Sequence, residues 1–228
     1  MLEIRGVRVV YGDGTPPALD DVTLDVAAGE CVALVGPSGS GKTSLLRSLN
    51  GTVPIAAGSI HVEGIDVAAV RGRNLRRLRT RLALIAQQHD LVDRLTVTQN
   101  VMAGALGRWS TLHALRFLIA PAATEYAEAR TALESVGIAE KLRSRTSELS
   151  GGQQQRVAIA RALVQNPAAI LADEPIASLD PELGDQIVRL LCDLARERNI
   201  ALLCSLHQTE LAHRHFDRVV ELVGGRIR

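Results

Sequence analysis

The pattern of hydrophobic and polar positions predicts strands of two kinds. Over residues 2–10 and 24–26, apolar residues alternate with polar ones, as in antiparallel strands that expose one face to solvent. Residues 31–35, 168–172 and 200–205 are almost continuously apolar instead, as in parallel strands that are buried on both faces. The sequence therefore predicts an N-terminal antiparallel subdomain beside a mostly parallel sheet.

Helices are predicted where apolar residues recur at wider spacing. One follows the first buried strand from residue 42 to about 50, and another, over 181–198, separates the last two buried strands. Between Asp90 and Gln165 strand signals are few, and small or apolar residues recur at helical spacing, at Ala127, Thr131, Ala132, Leu133 and Val136. We therefore expect an α/β fold in one domain, with a core formed by 1–88 and 166–228 and an inserted α-helical subdomain at 89–165.

Composition narrows the class of protein. The 228 residues are 46% hydrophobic, enough to bury a full core in one domain. The 26 Lys and Arg nearly balance the 25 Asp and Glu, so the net charge predicts no attraction to nucleic acid or to an anionic membrane. Arg116 and Pro121 interrupt the longest apolar stretch, so we expect no membrane-spanning helix. The N-terminus lacks the pattern of a signal peptide, and we expect the protein to stay in the cytosol.

Three widely spaced cysteines, Cys31, Cys192 and Cys204, lie in or beside apolar segments. An odd number of cysteines in a chain without a signal peptide argues against a disulfide framework. We expect buried structural thiols, since free cysteine behaves as a small hydrophobic residue.

A phosphate-binding loop is the strongest single motif. It fits the pattern G-x-x-x-x-G-K-[ST] between a predicted strand and a predicted helix, and its residues are Gly36, Pro37, Ser38, Gly39, Ser40, Gly41, Lys42 and Thr43, with Ser44 directly after them. Its backbone N–H groups converge on phosphate oxygens, Lys42 reaches the β and γ phosphates, and the Thr43 hydroxyl ligates Mg²⁺. A plain glycine-rich turn is the alternative, yet chance gives this match in only about one such chain in 100. The motif predicts a P-loop NTPase core that binds ATP.

Two acids follow the second buried strand. Asp173 is the candidate Mg²⁺ ligand, and Glu174 lies where a carboxylate can polarise the water that attacks the γ phosphate. The alternative is that both are solvated acids that open a loop before Pro175. The phosphate-binding loop favours the functional interpretation, because such a loop requires a carboxylate at the end of a neighbouring strand.

The segment 149–156, LSGGQQQR, resembles the LSGGQ signature of ATP-binding cassette (ABC) proteins. The resemblance implies that Ser150, Gly151, Gly152 and Gln153 form a second anion site, which faces the ATP held by another subunit. Ser150 could also simply cap the helix that follows it, and the two roles are compatible. The family implies a head-to-tail homodimer that shares two ATP molecules.

The resemblance assigns further residues one by one. Tyr11 is similar to the aromatic residue that stacks on adenine, although it could be a plain strand-edge aromatic. Gln87 resembles the glutamine that contacts Mg²⁺ and senses the γ phosphate, with Gln88 offering the same side chain one position later. Ser178, Leu179 and Asp180 resemble the loop that crosses to the other subunit. His207 resembles the switch histidine, which is implied to act with Glu174 and Lys42 in catalysis; a structural histidine is the alternative.

Among ABC proteins, the chain resembles phosphonate-importer ATPases in the amino-acid sequence of residues 91–108 and of the motifs around 149–163 and 172–181. Like them it lengthens the helical region, here over 109–125. Trp109, Leu112, Leu115, Phe117 and Leu118 are expected to pack this extra helix; contact with a membrane subunit is the alternative.

The implied function is ATP hydrolysis that energises import of phosphonate, phosphite or a related oxyanion. The implied partners are a second copy of the chain, two membrane-spanning permease subunits and, indirectly, a periplasmic or surface substrate-binding protein, with no nucleic acid. The implied location is the cytoplasmic face of the inner membrane. Two alternatives stay open: an accessory cassette of phosphonate metabolism that acts without a membrane channel, and a nucleotide sensor that does not hydrolyse ATP.

Overall fold

Two sheets organise the computed structural model, which describes residues 1–12, 14–87 and 90–228. The strands are β1 (Leu2–Val9), β2 (Leu19–Val26), β3 (Cys31–Val35), β4 (Ala57–Val62), β5 (Ile65–Asp66), β6 (Leu82–Ile85), β7 (Ala169–Asp173), β8 (Ala201–Leu206), β9 (Arg218–Val223) and β10 (Arg226–Ile227). The α-helices are α1 (Lys42–Leu49), α2 (Gly72–Arg81), α3 (Val97–Met102), α4 (Thr111–Ile119), α5 (Ala123–Ser135), α6 (Gly151–Val164), α7 (Pro181–Glu197) and α8 (Thr209–His215). Short 3-10 segments lie at Ala103–Gly107, Ala139–Lys141 and Thr146–Glu148.

The smaller sheet is antiparallel, with strand order β2-β1-β4-β5. The alternation of apolar and polar residues predicted one buried and one exposed face, and β1 has both: Leu2, Ile4, Val7 and Val9 are buried, and the polar residues of the strand lie on the other face. The strands β4 and β5 were not predicted, since they are short and lie around a turn at Glu63 and Gly64, where the polar positions hide the alternation.

The larger sheet has strand order β10-β9-β3-β8-β7-β6 and is parallel except for the pair β9 and β10. The run Cys31 to Val35 is buried at every position, and its residues divide between two hydrophobic clusters on opposite faces of the sheet. One cluster is formed with helices α3 to α8, and the other with α1, α2 and the antiparallel sheet. The fold class predicted from the sequence is confirmed.

All three thiols are reduced and buried, as expected. The hydrogen bond between Cys31 and Cys192, together with burial, raises the pKa of Cys192, and burial raises the pKa of Cys204. These two thiols therefore stay protonated and unreactive.

No helix in the described part of the chain combines the length and the apolar content that crossing a bilayer requires.

The inserted helix α4 packs along only one of its faces. Phe117 is buried beneath Trp109, with ring centroids 5.1 Å apart, and His113 stacks on Trp109 at 4.2 Å. The expectation that Trp109 and Phe117 pack this helix is confirmed, but it is wrong for Leu112, Leu115 and Leu118, which are 79%, 53% and 55% exposed. The reason is helical geometry, because residues 113 and 117 share one face and these leucines lie away from it.

A buried carboxylate fastens α4 to α5. Glu125 is 4% exposed, its Oε1 lies 2.7 Å from His113 Nε2 and accepts a hydrogen bond from Arg116, and its Oε2 accepts one from the Ala122 N–H at 2.6 Å. Burial raises the pKa of Glu125, but the hydrogen bonds from the Ala122 N–H and His113 and the charge of Arg116 outweigh burial, so the pKa is lowered overall. Glu125 is thus ionised and satisfied at neutral pH.

We predict that Glu125→Gln lowers the free energy of unfolding by about 1–3 kcal/mol, because Ala122 N–H, His113 and Arg116 lose their shared charged acceptor at a buried position. The folded pKa is depressed, so the loss is complete at neutral pH and shrinks as pH falls below the ordinary value of 4.5 towards the folded pKa. Urea denaturation of the variant and of the wild type at several pH values measures this loss in the free energy of unfolding. The control is Glu128→Gln. Glu128 lies on α5, as Glu125 does, and forms an exposed ion pair with Arg108, so its substitution should cost under about 1 kcal/mol. Equal losses in both variants would contradict the role of Glu125.

Candidate functional site

The loop from Gly36 to Thr43 joins the end of β3 to the first turn of α1. Two of its glycines are required by their surroundings. Gly36 has φ 145°, and a Cβ there would lie 2.1 Å from the Leu222 carbonyl oxygen; Gly41 has φ 108°, and a Cβ there would lie 2.4 Å from the Ala18 carbonyl oxygen. The tight path therefore depends on residues without side chains, as the motif predicted.

The loop contains a charged group without a counter-charge and a hydroxyl without a hydrogen-bond partner. Lys42 is 5% exposed, and its Nζ donates to the carbonyl oxygens of Gly36 at 2.8 Å and Pro37 at 3.2 Å. Within the described ranges no carboxylate pairs with it. Ser40 Oγ is buried and has no hydrogen-bond partner among the residues that the structure describes. A buried ammonium group and an unsatisfied hydroxyl in one loop are the groups that a phosphate would satisfy.

Asp173 lies at the end of β7 and connects three elements. Its Oδ1 accepts hydrogen bonds from Thr43 Oγ1 at 3.2 Å and from Ser205 Oγ at 2.8 Å. Hydroxyl and carboxylate oxygens are ligands that Mg²⁺ prefers, and the Thr43–Asp173 pair therefore fits this ion. Of the residues described, no three His, Cys, Asp or Glu side chains are grouped to hold a metal by themselves. Phosphate oxygens and water would have to complete the coordination.

Ser205 was not predicted as a site residue. It is fully buried in β8, opposite Asp173 in the parallel register, and its Oγ also accepts a hydrogen bond from the Glu174 N–H at 2.9 Å. It therefore orients both acids. The available signal was a hydroxyl within an otherwise apolar strand, since a buried polar side chain requires a partner.

Glu174 and His207 lie together at the carboxyl ends of β7 and β8. Glu174 Oε1 is 2.6 Å from His207 Nε2, and the two side chains are 19% and 44% exposed. Glu174 has a left-handed backbone conformation, φ 48°, which non-glycine residues rarely adopt. Such strain is typical of functional positions and sets the direction of the carboxylate.

The remaining residues beside the loop are less enclosed. The Tyr11 hydroxyl lies 3.1 Å from Ser44 Oγ, and its ring is 60% exposed, so the ring is free to stack on a flat ligand. Gln87 is exposed two residues after β6. Gln88, the alternative to Gln87, lies outside the described residues.

The segment 150–153 begins α6 next to the start of α7. Ser150 caps α6, because its Oγ accepts from Gln153 N–H at 3.4 Å while Gln153 Oε1 accepts from Ser150 N–H at 3.1 Å. A Cβ at Gly152 would lie 2.4 Å from the Leu183 side chain, and one at Gly151 would contact Leu179. The two segments that the resemblance assigns to contacts with another subunit, 150–153 and 178–180, therefore adjoin. Asp180 caps α7 by accepting from Leu183 N–H at 3.0 Å.

Comparisons with known proteins identify the family of the chain. Residues 19–177 match the family model described as ABC transporter. The chain is 49% identical over 227 residues to the phosphonates import ATP-binding protein PhnC of Frankia casuarinae, covering 100% of this chain and 89% of that protein. It is 39% identical to PhnC 2 of Halalkalibacterium halodurans, covering 100% and 92%. Among solved structures it is similar to the dimeric bacterial ABC transporter cassette MJ0796, with TM-score 0.85, 30% identity and coverage of 100% and 97%.

We predict that Ser205→Ala lowers the free energy of unfolding by about 1–3 kcal/mol, because the Glu174 N–H loses its acceptor and Asp173 loses a donor. Chemical denaturation measures the change. Ser48→Ala is the matched control, since Ser48 Oγ only donates to the Ser44 carbonyl oxygen within α1, and its loss should be under about 0.5 kcal/mol. A Ser205 variant as stable as the control would show that the hydroxyl does not support the two acids.

Proposed function

The chain belongs to the ABC transporter family, and we propose that it binds and hydrolyses ATP as the energising subunit of an importer. One arrangement carries this proposal. The Thr43–Asp173 pair and the Glu174–His207 pair lie at the ends of adjoining elements, next to a loop that buries Lys42 without a counter-charge. Such a site combines an anion cradle, a metal position and a candidate base.

The loop supplies binding. The N–H groups of residues 36–43 and the amino end of α1 hold the β and γ phosphates, with Lys42 turned from the carbonyls of Gly36 and Pro37 towards them. Ser40 gains the partner that its hydroxyl lacks. Ser44 lies within reach of the same phosphates, and Tyr11 stacks on the adenine.

Mg²⁺, when bound, neutralises charge on the phosphate oxygens and orients them. Thr43 and Asp173 would hold it, together with Gln87, as the family resemblance implies. Asp173 is kept in place by the Ser205 hydroxyl, so its carboxylate does not have to reorganise when the ion arrives.

Glu174 is the general base in this proposal. Its carboxylate accepts a proton from the attacking water, while the His207 Nε2–H donates a hydrogen bond to it and fixes its rotamer. The left-handed backbone of Glu174 and the bond from its N–H to Ser205 hold the carboxylate beside the phosphate cradle. Lys42 stabilises the charge that develops on the transferred phosphoryl group.

A second copy of the chain completes the site. Ser150, Gly151, Gly152 and Gln153 of one subunit face the ATP bound by the other, with Ser178, Leu179 and Asp180 at the crossing. The adjoining placement of these two segments supports this arrangement, and the related cassette MJ0796 is described as dimeric. Closure would move the helical subdomain at 89–165 relative to 1–88 and 166–228.

The cargo is inferred from relatives. The full-length similarity to proteins named for phosphonates import supports phosphonate, phosphite or a related oxyanion. Such an importer would place this subunit at the cytoplasmic face of the membrane, bound to two permease subunits that receive cargo from a periplasmic or surface binding protein. No residue of the nucleotide site reads the cargo, so specificity resides in those partners.

We predict that Glu174→Gln lowers ATP turnover by about 100-fold or more while nucleotide binding persists, because the base is lost and the shape is kept. Light scattering with Mg²⁺ and ATP should then show a dimer that is absent without nucleotide. Lys42→Ala, which removes a charged phosphate contact, should bind ATP at least about tenfold more weakly and stay monomeric. Unchanged turnover in Glu174→Gln would refute its role as base.

We predict that cells dependent on this gene take up radiolabelled methylphosphonate only when Glu174 is intact. Cells carrying Glu174→Gln should fail to grow with methylphosphonate as the sole phosphorus source and should grow normally on inorganic phosphate, because only import is affected. Normal uptake with a growth defect would instead indicate the accessory role in phosphonate metabolism. Normal growth on both sources would refute the phosphonate assignment.

A further inference from the structure

Most buried polar side chains of this molecule are hydrogen-bonded. In the described part of the chain nine polar or charged side chains are buried, and seven of them bond to another group: Lys42, Ser48, Thr98, Asn100, Glu125, Thr146 and Ser205. The two exceptions are Ser40 and Gln155, which have no hydrogen-bond partner among the described residues. Because burial of an unbonded polar group is unfavourable, each exception requires an explanation.

The phosphate-binding loop explains Ser40, because a bound phosphate supplies the partner that its hydroxyl lacks. Gln155 lies elsewhere, in α6, two residues after the segment 150–153 that faces the ATP of a second subunit in the proposed dimer. Its side chain is 0% exposed, so no phosphate can reach it. The partners of Gln155 must therefore come from the protein or from internal water.

Gln155 is the last of three consecutive glutamines, and the other two are bonded. Gln153 forms part of the cap of α6, and Gln154 donates to the carbonyl oxygens of Thr146 and Leu149 at 3.3 and 3.4 Å. In Gln155, by contrast, both Nε2 and Oε1 lack a partner within the described ranges. Its amide group therefore does not stabilise α6 in this conformation.

Asn100 shows how the same fold satisfies a buried amide group. It is 2% exposed, and its Oδ1 accepts a hydrogen bond from the Val92 N–H at 2.9 Å. Its Nδ2 donates to the Val92 carbonyl oxygen at 3.0 Å and to Thr146 Oγ1 at 2.8 Å. Asn100 thus has the role that a buried structural amide usually has, and Gln155 does not.

Gln155 lies at the boundary between the helical subdomain and the core. It shares one face of α6 with Gly152, because the two residues are three positions apart. On that face a Cβ at Gly152 would lie 2.4 Å from the side chain of Leu183 on α7. The face is therefore turned towards the start of α7 and the crossing segment 178–180 before it. Since α6 belongs to the helical subdomain and α7 to the core, closure on ATP would change what Gln155 contacts.

We propose that Gln155 is a positioning residue for the closed dimer, in which its amide group forms hydrogen bonds with the backbone of residues 176–179. The carbonyl oxygens of Ala177 and Ser178 accept no hydrogen bond from any described residue and are available to it. A group that is unbonded in one conformation and bonded in another favours the second conformation. Gln155 thereby favours closure and holds the crossing segment in place. The inference rests on the ATP-driven dimer of the proposed function.

Thermal melting of the full-length chain without nucleotide is the first test. Gln155→Met keeps the length of the side chain and removes its polar atoms, so the variant should melt no more than about 2 °C below wild type. Gln155→Leu repeats the measurement with a second apolar shape. The matched control is Asn100→Leu, which removes an amide group that is bonded without nucleotide and should lower the melting temperature by about 4–10 °C.

Dimer formation with Mg²⁺ and ATP is the second test, measured by light scattering in the Glu174→Gln background. Adding Gln155→Met should raise the dimer dissociation constant about tenfold or more, since both subunits lose hydrogen bonds of the closed form. ATP binding by the dilute monomer should stay within about twofold, because Gln155 lies outside the phosphate-binding loop. Asn100→Leu, at a temperature where it is folded, should change the dimer dissociation constant less than about threefold.

Two results would overturn the proposal. A melting temperature of Gln155→Met as low as that of Asn100→Leu would show that Gln155 is already bonded without nucleotide, through internal water. A dimer of Glu174→Gln/Gln155→Met as tight as that of Glu174→Gln would show that closure does not use the amide group, and the proposed function would stand. Absence of an ATP-dependent dimer in Glu174→Gln itself would overturn the proposed function together with this inference, so the two failures are distinguishable.

Discussion

The parallel register of β3, β8 and β7 is the constraint on which the site depends. In a parallel sheet the carboxyl ends of neighbouring strands meet at one edge, so residues that are distant in sequence arrive side by side. The pairing of Asp173 with Ser205 brings the acidic end of β7 to the polar end of β8, and β3 on the other side of β8 delivers the loop at Gly36. A shift of one residue in the pairing of β7 with β8 would separate Asp173 from Ser205 and turn the acid to the other face of the sheet.

The burial of the sheet on both faces is what makes this edge precise. Hydrophobic clusters hold the strands from either side, so the polar side chains at their ends are positioned by a rigid base. That base can sustain local features that are unfavourable alone: a buried ammonium group on Lys42, an unsatisfied hydroxyl on Ser40 and a left-handed Glu174. A bound phosphate would relieve the first two, and the third positions the candidate base, so the rigid core supports the chemistry at its edge.

The sequence revealed the parts of this arrangement that depend on local pattern. Glycines that must accept positive φ, and a lysine at the start of a helix, have fixed spacing and can be recognised without a structure. Ser205 could not be placed in the same way, because its importance comes from its partner on β7, 32 positions earlier. The strands β4, β5, β6 and β10 are too short for a reliable period. The expected packing of Leu112, Leu115 and Leu118 was wrong because apolar residues on a helix show that a face is apolar without showing what covers it.

Net charge does not report how charge is distributed over the molecule. Electrostatic attraction depends on where charges lie within about a Debye length of roughly 8–10 Å, whereas a total over 228 residues averages over distances several times larger. Six arginines lie on α2 or directly before it with no acid among them, and of these six only Arg81 is paired with a carboxylate in the described part of the chain, that of Glu63. Charge is therefore concentrated locally in a chain whose total is +1.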